Sequence, residues 1–304
     1  MTEIAPLLTY DGSFFHPDAE RQFEDYIFQQ QERKLDGESD HSSALDQQLE
    51  ALCYSIRDIG LEADIDLRKR LPPLTAFRFF KTRSDFDAGL AQRGNEAERA
   101  VGFCDDANVY VLQKPNEIMD TETWGVVAHE LGHLISNKTI RYERDGSFIP
   151  TYDGFQQLEK GELDGHMLNE SFVELMRIDQ MQRWKDAPEL QEHATEAHKV
   201  PYGYVGVVAL AELIGSVAHT NQEDPRALYG RFLRGHLLSD LTVISDVKNS
   251  LPQNYHDAYD AFLESDPESR KSIAQVAERL GLKNTVQVMH SDSNEALQRL
   301  FEWV

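Results

Sequence analysis

The run His129-Glu130-Leu131-Gly132-His133, embedded in the apolar stretch from Trp124 to Ile135, constrains this chain more than any other feature. On an α-helix, residues four apart stand one turn above each other, so the two imidazoles can turn a ring nitrogen toward one common point. Glu130 stands beside that point. The flanking residues predict the helix: Asp120 or Thr121 can cap its start, and Glu122 suits the positive end of its dipole. Trp124, Val127, Ala128, Leu131, Leu134 and Ile135 form a stripe that belongs in a core. Burying two imidazoles there is costly unless an acid or a cation satisfies them. The expectation is a zinc site with His129 and His133 as ligands.

With 304 residues, 40% hydrophobic and 27% charged, the chain can bury a sizeable core in one large or two smaller domains. A net charge of -23 repels phosphate backbones and anionic lipid. The strongest basic cluster, Arg68-Lys69-Arg70, is short and reads as a solvated helix end. Neither nucleic acid nor a membrane surface is expected as a partner. Cys53 and Cys104 lie far apart without C-x-x-C spacing, which indicates neither a disulfide framework nor a cysteine metal site. The first twenty residues hold no Lys or Arg and no continuous apolar segment, and the longest apolar stretch, Tyr202 to Ala218, is interrupted by Glu212 and glycines. A cytoplasmic location is the expectation.

Apolar residues recur at helical spacing from Pro17 to about Leu35 and from Ser42 to Gly60, so 1–72 reads as a helical N-terminal segment. Leu71-Pro72-Pro73 breaks that pattern. Thr75 to Phe80 then reads as a strand, Asp85 to Gln92 as a helix, and Arg99 to Cys104 and Asn108 to Gln113 as a hairpin turning at Asp105-Asp106-Ala107-Asn108. Segment 73–139 is thus a small sheet followed by the motif helix. Lys138 to Gly165, rich in glycine and charge, reads as a long loop with room for a small hairpin. From His166 onward helices are expected at about 166–183, 187–199, 202–219, 225–236, 254–264, 269–280 and 293–303, within a C-terminal subdomain 140–304. The fold class is α+β, predominantly helical, with a small mixed sheet ahead of the motif helix.

A catalytic zinc takes three protein ligands and keeps a fourth position open. Continuation of the motif through glycine to a third histidine is absent, because Ser136 and Thr139 hold those places. An acid on a second helix is the alternative. In Leu168-Asn169-Glu170-Ser171-Phe172-Val173-Glu174, two glutamates stand one turn apart on one face. Glu170 is the candidate ligand, and Glu174 the candidate acceptor for the N–H of a ligand histidine, fixing its tautomer. Asp164 and His166 compete as ligands.

On these residues the chain resembles the gluzincins, zinc metallopeptidases with His-Glu-x-x-His on one helix and a glutamate on the next. The resemblance covers about Arg99 to Gly215. It implies a zincin-like fold and a zinc cofactor held by His129, His133 and Glu170. In that group an edge strand before the motif helix pairs with extended substrate, and Asn108 to Gln113 stands in its place. A tyrosine commonly stabilises the oxyanion. Tyr202 and Tyr204 are the candidates, with His193 and His198 as competitors.

The expected activity is hydrolysis of a peptide or protein substrate by metal-activated water, with Glu130 as general base and later proton donor. Two other readings stay open: an intracellular regulatory peptidase that cleaves one dedicated protein, and a non-catalytic binding protein on a zincin scaffold. The role of 1–72 and the oligomeric state are open as well.

Overall fold

Among the described residues, strands and helices alternate before His166 and helices alone follow it, as the change in apolar periodicity predicts; the strand Leu7–Tyr10, inside the segment 1–72 read as helical, is the exception. The computed structural model describes residues 7–10, 18–68, 70–92, 100–113, 119–157, 165–196, 205–238, 241–291 and 294–304. Strand β1 (Leu7–Tyr10) precedes helices α1 (Ala19–Glu32) and α2 (Ser43–Glu62). Strand β2 (Phe77–Phe80), helix α3 (Arg83–Ala91) and the hairpin of β3 (Gly102–Cys104) and β4 (Val109–Leu112) follow, then the motif helix α4 (Thr121–Leu134). Strands β5 (Lys138–Tyr142), β6 (Phe148–Asp153) and β7 (Gln156–Gln157) lead to α5 (His166–Arg183). The remaining helices are α6 (Gly206–Asn221), α7 (Pro225–Leu238), α8 (Thr242–Ser250), α9 (His256–Leu263), α10 (Arg270–Leu280), α11 (Lys283–Ser291) and α12 (Asn294–Phe301).

The described strands form two small sheets, of which the first packs against α4. In the first, the order is β2-β4-β3, with β4 parallel to β2 and antiparallel to β3. This corrects the expectation that Asn108 to Gln113 supplies an edge: β4 is the middle strand, and β3 takes the edge. The physical sign is in the residues, since Val109-Tyr110-Val111 is buried without alternation, the mark of a strand covered on both faces. At the turn, Asp105 Oδ1 accepts from the Ala107 and Asn108 N–H groups, both at 2.8 Å, and so closes the hairpin.

The second sheet has the order β1-β5-β6-β7. The stretch from Lys138 is therefore not one long loop: β5 and β6 form an antiparallel hairpin with an irregularity at Thr139/Ile140, and β1 pairs parallel with β5. Thr139, Ile140, Tyr142, Phe148 and Ile149 carry the strand preference, while Gly146 and Gly154, at φ +86° and +56°, make the turns. Residues 158–164 lie outside the described residues. The helix expected at 187–199 is a 3-10 turn over Gln191–Glu196 in its described part.

One apolar core runs from Leu49 of α2 through Trp124, Val127 and Leu131 of α4 and Phe172 and Met176 of α5 to Val304. Helix α5 is its centre: every residue from Met167 to Met181 is buried. Gly132 lets α4 and α5 approach closely, because a methyl group there would stand 2.8 Å from Val173 Cγ1. Among the described residues no helix is long and apolar enough to cross a membrane.

Both ends of α4 are tied down. Asp120 Oδ1 accepts from the Thr123 N–H at 2.8 Å and from the Thr123 hydroxyl at 2.7 Å. At the other end, the carbonyls of Ile135 and Ser136 accept from Arg70 Nη1, that of Gly132 faces His236 Nε2 at 3.3 Å, and that of His133 accepts from the Ser136 N–H. Asp120→Ala is expected to lower the free energy of unfolding by about 1 kcal/mol, measured by urea denaturation; an unchanged midpoint would show that the cap contributes nothing.

Candidate metal centre

The last turns of α4 and the first turns of α5 bring three donor atoms together. His129 Nε2 and His133 Nε2 are 3.2 Å apart, and each lies 3.3 Å from Glu170 Oε2. These three buried residues form a group that could hold a metal ion. A tetrahedral zinc with bonds of about 2.0–2.1 Å requires its donors to stand about 3.3 Å apart. The triangle has that size. Its chemistry agrees as well, since three lone-pair-bearing atoms facing one point repel one another unless a proton or a cation lies between them.

The outward nitrogen of each imidazole has its own neighbour. His129 Nδ1 lies 3.1 Å from Glu174 Oε2; with the proton on Nδ1, that nitrogen donates to the carboxylate and Nε2 presents its lone pair to the triangle. His133 Nδ1 faces the Asn169 amide nitrogen at 3.5 Å, while Asn169 Oδ1 accepts from the Phe155 N–H at 3.1 Å. Burial alone would lower the His129 imidazole, yet Glu170 and Glu174 outweigh it and hold the group at about 10. His133 is likewise raised, by Glu170 against burial. Burial opposes the charged form of Glu170 too, but the two histidines bring its carboxyl well below the usual range.

Glu130, on the adjoining face of α4, is only partly buried and takes no part in the triangle. Burial pushes its carboxyl above the ordinary value, against the pull of His129 and His133. Strand β3 runs directly over it: a methyl group on Gly102 would meet Val126 and come 2.9 Å from Glu130 Oε1. The outer side of β3 carries no further strand among the described residues. A carboxylate of raised proton affinity, adjacent to His129 on α4, therefore lies against the outer strand of the sheet.

The structure thus brings His129, His133, Glu170, Glu130 and Glu174 into one site. His166 lies beside it, with Nδ1 3.7 Å from Glu170 Oε1, and is not one of the three donors. His193 is elsewhere. Its Nδ1 contacts Thr121 Oγ1 at 3.1 Å near the start of α4, about two helical turns from His129. Asp164, His198, Tyr202 and Tyr204 lie outside the described residues. Three residues that the sequence did not single out belong to the surroundings: Asn169, Arg177 and His236. Arg177 bonds both oxygens of Glu174, at 2.9 and 2.7 Å. His236 packs between Phe155 and Phe172, and burial lowers it to about 4, so it faces Gly132 as a neutral ring. Arg177 stands one turn after Glu174, the only local signal for it, and Asn169 directly precedes Glu170 with no signal of its own.

Comparison with protein-family models, curated proteins and solved structures gives no match for the chain. The class that the site defines rests on geometry: a buried His/His/Glu group on two helices, consistent with a zincin-like His-Glu-x-x-His plus Glu site. The metal-free site binds a proton strongly at His129. A metal must displace it, so metal affinity should rise with pH, and calorimetry in two buffers of different ionisation enthalpy should record net proton release. The folded value of about 10 lies above the ordinary 6.5, so this proton stabilises the metal-free fold fully below pH 6.5. That contribution is lost as pH rises through about 10, which thermal melts of metal-free protein should show; a melting temperature independent of pH across this window would contradict the coupling.

Proposed function

We propose that the chain is a zinc-dependent metallopeptidase of the gluzincin type, with His129, His133 and Glu170 as metal ligands and Glu130 as general base. The observation that carries this reading is the donor triangle with a separate, proton-avid carboxylate beside it. Two imidazole nitrogens and one carboxylate oxygen suit zinc, whereas calcium and magnesium take larger shells of oxygen. A zinc ion bound there supplies Lewis acidity and makes water acidic enough to react near neutrality.

The chain's own residues then divide the work. Glu130 accepts the proton of the attacking water and returns it to the departing amine, which is why it must adjoin the triangle without joining it. Glu174 holds the Nδ1 proton of His129 and so keeps Nε2 directed inward. The open edge of β3 pairs with an extended peptide backbone and lays it over Glu130; in this role β3 replaces the Asn108 to Gln113 segment. Tyr202 or Tyr204, just before α6, supplies the hydrogen bond to the developing oxyanion.

Glu130→Gln is expected to retain one equivalent of zinc and to lose activity by about 10²- to 10⁴-fold, read by mass spectrometry of a digested peptide library. Hydrolysis at the original rate by this variant would overturn the assignment. Glu170→Gln should instead weaken zinc binding itself, which metal analysis after dialysis separates from a defect in proton transfer.

A further inference from the structure

We infer that Arg177 is a positioning residue of this centre, a buried guanidinium fork that clamps Glu174 so that its carboxylate orients His129. The inference rests on the reading of the His129/His133/Glu170 triangle as a metal site.

Arg177 is 3% exposed, and its Nε and Nη2 donate to the two oxygens of Glu174 at 2.9 and 2.7 Å. This is a bidentate pair, which fixes the plane of the carboxylate as well as its position. Glu174 Oε2, the oxygen that Arg177 Nε holds, is the one that lies 3.1 Å from His129 Nδ1. The ring plane of His129 thus follows the plane of a carboxylate whose own orientation is set one residue further out. A single hydrogen bond leaves a carboxylate free to rotate about its last bond, and a fork does not. The pair is also neutral as a whole, so Glu174 can accept from His129 without adding net negative charge beside the triangle.

The facing helix is shaped for this group independently. Gly125 stands on α4 one turn before His129, and a methyl group there would lie 3.4 Å from Arg177 Nη1. A methyl is thus the most that fits. The guanidinium occupies a slot between α4 and α5 that a larger residue at position 125 would close. Gly125, His129 and His133 share one face of α4, so the slot and the two ligands are parts of the same packed surface.

The test separates orientation from mere packing by measuring zinc affinity of metal-free protein against a chromophoric chelator. Arg177→Met, of similar length and no charge, is expected to weaken zinc binding by about 10- to 100-fold. Arg177→Lys, which keeps the charge but not the fork, should recover little of the loss, and it carries the test if the Met variant does not fold. In a Glu174→Gln background, replacing Arg177 should change the affinity by less than about 2-fold, because the group it acts through is already gone. Gly125→Val, which keeps both charges and crowds the fork, should weaken binding in the same direction. An affinity unaltered by both replacements of Arg177, or a loss of equal size in the Gln background, would overturn the inference. Absence of zinc binding by the unsubstituted protein would instead remove the metal-site reading itself, and the inference with it.

Discussion

The close contact between α4 and α5 is the constraint on which the rest depends. Three donor atoms can converge to within 3.3 Å only if the two backbones are near and cannot slide. Gly132 permits the approach to Val173, and the caps at both ends of α4 keep its last turn from fraying. His133 lies in that last turn. If the carbonyls of Gly132, Ile135 and Ser136 were left to water, this imidazole would sit on the least ordered part of its helix; His236 and Arg70 prevent this.

Helix α5 accepts an unusual burden in return. It is buried along most of its length yet carries Asn169, Glu170, Glu174, Arg177 and Asp179 inside the core. Each has a partner: Glu170 faces the imidazoles, Glu174 meets Arg177, and Asp179 bonds Arg183 and Arg226 at 3.0 and 2.9 Å. Buried ion pairs add little net stability, but removing one member leaves the other charge stranded at a cost of several kcal/mol, roughly 3–5. This polar seam therefore serves arrangement more than stability, and it concentrates where α5 faces the motif.

The strands show a different balance. The alternation expected of an edge is missing from Val109-Tyr110-Val111, and this continuous apolar run was a readable sign of a central strand. The short β3, with Gly102 against α4, lies within the strand expected at Arg99 to Cys104, but its three residues carry no pattern that marks it as the edge. Between Lys138 and Gly165 the β-branched residues left room for the small hairpin that β5 and β6 form, while glycine and charge hid how much of the stretch is strand. Its parallel neighbour β1 comes from the far end of the chain, and no local pattern can specify such a pairing.

The sequence by itself determined what lies within one helical turn: the His129–His133 spacing, the Glu170–Glu174 spacing and the apolar stripe of the motif helix. Covalent geometry sets those relations, because a helix places residues four apart on one face whatever surrounds it. Only the tertiary structure decided which strand became the edge, that Glu170 rather than His166 closed the triangle, and that Arg177 turned inward to Glu174. Those outcomes depend on how two helices and two small sheets pack, where burial makes each polar group take the partner that distant segments deliver.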